Sequence, residues 1–292
     1  MIRKIIPILL LLIAMTSSRS ESREADSSQE NPLQITRNRL ASVEDRKKAI
    51  DQLKASNDAE MISVLSQIIR DPEEPIILRA HVMEVFAQSN DQWAALELKK
   101  ILKDSSVPSE NRILALYALW KKDPQGMRGE LINLAQNNSK SPDIRVAALN
   151  YLRLDKGKWP PRFWEDLLLK KENPAPVRIQ AMNGMKELGL IAQPETTLIS
   201  IIENPSEQTE LRKAVILIAG SMVSLEVLEK ALMSVLSKPE NSLEMRRLAL
   251  DNLALKPNVV LLPQLKEILS HENDPILVDG LKTLIKNTTP KN

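Results

Sequence analysis

Seven arginines recur along the chain at a nearly fixed interval, and a column of guanidinium groups is well suited to holding anions. They are Arg46, Arg79, Arg112, Arg145, Arg178, Arg212 and Arg246, separated by 33, 33, 33, 33, 34 and 34 residues. A guanidinium offers a planar fork of donors that matches a carboxylate or a phosphate, so on an exposed face the column would form an anion track. Each arginine, however, heads the same local pattern. Small or apolar residues follow at plus three, plus four and plus seven, as Ala148, Leu149 and Leu152 follow Arg145. At 3.6 residues per turn these positions share the arginine's stripe, the face that packs on neighbouring helices. Buried charges are paired, so the pattern predicts a structural ladder of charge-assisted hydrogen bonds, Arg46 through Arg246, and not a track.

Other chemistry is thinly supplied. His81 and His271 are the two histidines, and with helices spaced by about 8–10 Å the intervening repeats hold them too far apart to share a metal or a catalytic centre. Both are expected to be solvated side chains. Cysteine is absent, which excludes disulfides, thiolate metal sites and a lipidated N-terminal cysteine. No nucleophile elbow, phosphate loop, metal-ligand motif or dinucleotide fingerprint occurs. Adjacent acids such as Glu73-Glu74 and Glu165-Asp166 have the chemistry for acid–base work, but a chain with 38 acids places such pairs on solvated faces. The expectation is a protein that is not an enzyme and carries no cofactor and no metal.

The aromatics point to contact instead. Phe86, Trp93, Tyr117, Trp120, Tyr151, Trp159, Phe163 and Trp164 all fall in the second to fifth repeats. On the arginine-bearing helix, plus two, plus five, plus six and plus nine oppose the packing stripe. That register turns Tyr117 and Tyr151 outward on successive helices, accompanied by Glu84, Asn150 and Asn183. Tyrosines flanked by amides and charges are common on contact surfaces, so these five are the candidate protein-binding residues. The run 159–164 reads as a packed helix start.

Every repeat supplies a first helix (A), a proline-containing loop and a second helix (B) carrying the arginine. A helices are expected over 59–70, 92–103, 126–137, 161–171, 194–203, 225–237 and 259–270, with a short first helix or cap over 33–40. The loops contain Pro72 and Pro75, Pro108, Pro142, Pro174 and Pro176, Pro205, Pro239 and Pro275, where proline ends one helix and opens the next. Asp71, Asp104, Asn137 and Asn204 stand eight residues before their arginines, where short polar side chains bond free backbone groups. An eighth unit, 275–286, has Val278 in the arginine position and carries Asp279, Lys282 and Lys286, as a wetter terminal cap would. A period of this size marks a stacked repeat array. With aromatics at 3% and apolar content drawn from Leu, Ile, Ala, Val and Met, the fold is expected to be all-α.

Residues 1–20 combine basic Arg3 and Lys4, a short apolar run over 5–15 and small residues near Ser18 and Ser20. That is the arrangement of a cleaved secretory signal, too short for a span of roughly 20 apolar residues. Export to a bacterial periplasm or out of the cell is expected, with no membrane span after cleavage. Residues 21–32 read as a disordered linker and 288–292 as a polar tail, leaving 33–287 for the repeats. Removing Arg3, Lys4 and Arg19 leaves 37 basic residues against 38 acidic ones, a balance of −1. Nucleic-acid binding calls for a basic excess that this balance does not provide.

The unit Pro-x-x-Arg-x-x-Ala-Leu-x-x-Leu, seen in Pro142, Arg145, Ala148, Leu149 and Leu152, resembles the second helix of short HEAT-like repeats, the kind found in bacterial adaptor proteins and in bilin lyases. The resemblance covers 43–286. It implies a right-handed α-solenoid of about eight helix pairs, arginines that bridge repeats through polar groups of the neighbouring loop, and B helices on the concave side. Arg212, followed by Val215 and Ala219, and Val278 depart from the motif, so the sixth and eighth units are expected to be distorted. The functional expectation is an exported scaffold that binds a protein or peptide on its B-helix surface; the resemblance also offers a bilin-lyase-like enzyme or enzyme subunit as the alternative.

Overall fold

The computed structural model describes residues 31–54, 59–89, 92–155, 161–190 and 194–290. The segments 1–30, 55–58, 90–91, 156–160, 191–193 and 291–292 lie outside the described residues, and with them the expected export signal, most of the expected linker, Trp159 and the end of the expected tail. Among the described residues there are α-helices, one short 3-10 segment and no strand. The chain divides into two compact units, Met1–Asp155 and Lys156–Asn292, and each is a stack of packed helix pairs in the manner of an α-solenoid.

The first unit holds α1 (Pro32–Arg37), α2 (Val43–Leu53), α3 (Ala59–Arg70), α4 (Ile76–Gln88), α5 (Gln92–Lys103), α6 (Ser109–Lys122), α7 (Arg128–Gln136) and α8 (Pro142–Leu154). Odd-numbered helices are A, even-numbered are B. Each A helix packs on its own B helix, and within the unit each B helix packs on the next, α2 on α4, α4 on α6 and α6 on α8. The stripe read from the sequence is the reason. Val82, Met83 and Phe86 on α4, Ala115, Leu116 and Leu119 on α6, and Ala148, Leu149 and Leu152 on α8 are all buried. Burial of each leucine contributes about 1.5–3 kcal/mol.

The second unit repeats the plan with α9 (Pro161–Leu169), α10 (Ala175–Leu188), α11 (Pro194–Glu203), α12 (Thr209–Ala219), α13 (Leu225–Ser237), α14 (Leu243–Ala254), α15 (Leu262–His271), preceded by the 3-10 turn Val259–Leu261, and α16 (Pro275–Thr288). The sixth repeat is regular despite its altered motif: Val215, Ile216 and Ala219 are buried like their counterparts. Valine and alanine fill the stripe because apolar volume, not the particular residue, is what the position requires. In the eighth pair Leu281 is buried while Asp279, Lys282 and Lys286 are exposed.

Helix ends follow local chemistry. Asp71, Asp104, Asn137 and Asn204 each accept the amide two residues on, at 2.9, 3.0, 2.9 and 3.1 Å, which closes the same turn at the start of four loops. Ser42 caps α2, its hydroxyl accepting from the Asp45 amide at 3.1 Å while donating to the Asp45 carboxylate at 2.7 Å. Gly189 ends α10 with φ of 63°, a left-handed cap that glycine adopts without a steric cost. Gly184 has a different role: a Cβ there would stand 2.5 Å from Cζ3 of the fully buried Trp164, so α10 approaches α9 only because the side chain is missing.

Candidate functional site

Two arrangements of polar side chains stand out, and the helix pairs position both. The first is the arginine series. Six of the seven arginines donate Nε to the carbonyl ten residues earlier, in their own A helix: Arg46 to Thr36 at 3.0 Å, Arg112 to Leu102 at 3.0 Å, Arg145 to Ala135 at 2.9 Å, Arg178 to Leu168 at 2.6 Å, Arg212 to Ile202 at 3.0 Å and Arg246 to Leu236 at 2.9 Å. This satisfies an end-of-helix carbonyl that has no partner within its helix and fixes the guanidinium pose. The fork then reaches the loop of the next pair. Arg46 holds Glu74 with both terminal nitrogens, at 2.7 and 2.9 Å; Arg178 holds Glu207 likewise at 2.6 and 2.8 Å; Arg212 donates to Asn241 at 2.7 Å; Arg246 pairs with Glu272. Donation by Arg178 holds the Glu207 carboxyl below the ordinary glutamate value.

Arg79 departs from this plan. Its Nε is buried without a partner among the described residues. The carbonyl it would take, that of Ile69, is taken by Nδ2 of Asn111, whose Oδ1 accepts from Arg79. Asn111 is fully buried and acts as a relay. The cause lies in the receiving loop, where apolar Val107, itself buried, occupies the position that Glu74 fills one repeat earlier.

The second arrangement is on the outer surface of the B helices of the first unit. The side chains at plus five from each arginine are Asp51, Glu84, Tyr117 and Asn150. Asp51 lies 3.1 Å from His81 Nε2, Glu84 accepts from Lys121 at 2.9 Å, and the Lys121 ammonium stands 5.8 Å from the centroid of the Tyr117 ring. Tyr117 is in turn 6.2 Å from Tyr151 and 6.4 Å from Trp120, and Trp120 stacks on Tyr151 at 5.1 Å and 22°. The result is a strip that is charged on α2 and α4 and aromatic on α6 and α8. The Lys121 hydrogen bond pulls the Glu84 carboxyl down, and Glu84 raises Lys121.

The expectation that Tyr117 and Tyr151 face outward needs correction. Both are half-buried, and burial pushes the Tyr151 phenol up. A helical wheel treats α8 alone, whereas Trp120, one turn beyond Tyr117 on α6, lies across the Tyr151 ring. Trp120 and Lys121, which the sequence reading did not single out, thus belong to the strip; their signal was the i,i+3 and i,i+4 spacing from Tyr117. The Trp120 indole N–H is buried and meets no acceptor among the described residues. Asn150 is half-buried beside Arg153, 3.5 Å from its guanidinium. Asn183 is half-buried on α10, in the second unit.

Elsewhere, a concavity of about 710 Å³ opens between α13 and α15, lined by Met233, Gln264, Glu267, His271 and the Arg246–Glu272 pair. His271 there turns Nδ1 to the Glu267 carbonyl, 3.0 Å away. Among the described residues no group of three or more His, Asp or Glu side chains stands where it would hold a metal ion, and no helix is long and apolar enough to cross a membrane.

No protein-family model matches the chain, and no curated protein matches it. Among solved structures it is similar to human deoxyhypusine hydroxylase, with 15% identity over 88% of this chain and 94% of that one and a TM-score of 0.36. It is likewise similar to YibA of Escherichia coli, with 13% identity over 91% of this chain and 99% of that one and a TM-score of 0.44. Both are HEAT-like helical-repeat proteins. At these identities nothing of their activities passes to this chain.

Proposed function

We propose that the protein is a noncatalytic binding module that takes a protein or peptide segment on the B-helix strip of its first unit. The observation that carries this reading is the cluster of Tyr117, Trp120 and Tyr151, in which aromatic faces remain partly open beside the Glu84–Lys121 pair. Aromatic rings give large contact area for little lost side-chain freedom, and they dominate the energetics of interfaces. The flanking pair supplies orientation at the rim. The same reading takes residues 1–20 as an export signal, which N-terminal sequencing of the protein recovered from its host would test.

The binding reading is tested with immobilised residues 21–292, challenged with the envelope fraction of the host beside a Tyr117→Ala/Lys121→Ala double variant. Tyr151 is left intact because its ring is packed under Trp120. Circular dichroism and melting confirm that the variant is folded. A partner held by the wild type and released by the variant supports the strip; an identical set held by both overturns the assignment.

A further inference from the structure

One rung of the arginine series lacks its acceptor. The receiving position lies five residues before the next arginine in sequence, and it is filled by Glu74 for Arg46, Glu207 for Arg178 and Asn241 for Arg212. For Arg112 that position is Lys140. Arg112 keeps the Nε bond to its own A helix, at 3.0 Å, so its guanidinium is held in the pose that points the Arg46 fork at Glu74. It is 7% exposed. Its two terminal nitrogens meet no acceptor among the described residues, and neither does the ammonium of half-buried Lys140.

The next residue adds a third donor. Ser141 stands at the N-cap of α8, yet its side chain bonds no backbone amide there, and its Oγ is buried without a partner among the described residues. The loop 137–141 contains no acid, and Asp143 in the first turn of α8 is exposed. Burial lowers the Arg112 guanidinium, opposed only by the charge of Asp104, a carboxylate already engaged by Arg70 and Ser106. A largely buried guanidinium favours a counter-charge, and here the receiving position of the chain supplies a second cation instead.

We propose that Arg112, Lys140 and Ser141 form a binding site for an oxyanion, a phosphate or carboxylate group, at the loop edge of the first unit. The fork takes two oxygens of the anion, the ammonium neutralises it, and the Ser141 hydroxyl donates to a further oxygen beside the positive end of α8. The site does not rest on the peptide-binding reading.

The test is the melting temperature of the full chain at fixed ionic strength, titrated with inorganic phosphate, acetate or N-acetylphosphoserine amide in place of chloride. Lys140→Glu supplies the carboxylate that the Arg46 and Arg178 rungs have, so it should melt higher than wild type without ligand and show no saturable rise with any of the three. Because phosphate stabilises proteins generally by exclusion from their surface, this variant also sets the background. Wild type should show a saturable rise above that background, and Lys140→Gln should bind about tenfold more weakly. A stronger response to the phosphoserine amide than to free phosphate assigns the group to a side chain, and the reverse assigns the free ion; either supports the site. No rise in wild type, or an equal rise in Lys140→Glu, overturns it.

Discussion

The Arg178 and Arg112 rungs start from the same bond and end differently. Both donate Nε to the carbonyl ten residues back, but the Arg178 fork closes on Glu207 while the Arg112 fork faces a loop whose receiving residue is Lys140. The anchor within a helix pair is therefore the common part of the design, present in six of the seven pairs and displaced only at Arg79, and where it is present it sets the pose of the side chain. What the fork meets varies from pair to pair: a carboxylate, an amide or a relay through Asn111, while for Arg112 the receiving position in sequence is a lysine. The pose belongs to the fold, and the acceptor is where individual pairs are free to differ.

Substitutions can break that contrast. Arg178→Ala should have the largest effect, about 3–5 kcal/mol, because it strands the buried Glu207 carboxylate and the Leu168 carbonyl together; urea unfolding followed by circular dichroism would measure it. Arg112→Ala abandons a carbonyl but no carboxylate, and about 1–2 kcal/mol is expected by the same measurement. Equal losses at the two positions would show that the fork partner does not matter.

A subtler change converts one rung into another. Glu207→Asn copies the Arg212–Asn241 rung and should cost about 1 kcal/mol at neutral pH. It should also remove a pH dependence. Arg178 donates to the ionised form of Glu207, so the folded pKa lies below the unfolded value, near 4.5. The contribution of this pair is full above that value and is lost as pH falls through the lower folded one. Hydrogen exchange of α10 and α12 amides from pH 7 to 3 should show acid loosening around α10 in wild type and less of it in Glu207→Asn; parallel curves would refute the assignment. The smallest effect is expected for Lys140→Gln, within about 0.5 kcal/mol in the absence of anions, since Lys140 makes no bond that the substitution removes.

The repeat was legible because each constraint recurs. A helix pair needs its stripe, its loop turn and its arginine at fixed offsets, and seven copies make those offsets visible. The acceptors were not legible in the same way. Glu74, Val107, Lys140, Glu207 and Asn241 share a position but no residue type, and their meaning appears only once the arginine pose is known. Asn111 was hidden for a similar reason: an asparagine on a B helix reads as surface, and only the displacement of Arg79 from the Ile69 carbonyl shows that it is core. The aromatic strip was half legible. Helical register found Tyr117 and Glu84, but it judged Tyr151 by its own helix and missed the Trp120 ring from the preceding B helix.

The two-part bonding of the arginines also orders events in time. The Nε bond closes over ten residues, whereas the fork waits for a loop 26 to 29 residues further on in the Arg46, Arg178, Arg212 and Arg246 pairs. Such short sequence separations give a low contact order and hence rapid folding. On a ribosome adding roughly 5–20 residues per second, these four pairs would each set their own arginine before the next pair exists, and each of the four arginines would spend a second or more with its fork in water. At those four pairs the growing end of the array would thus carry an exposed cation, ready for the acceptor that the next stretch of chain presents.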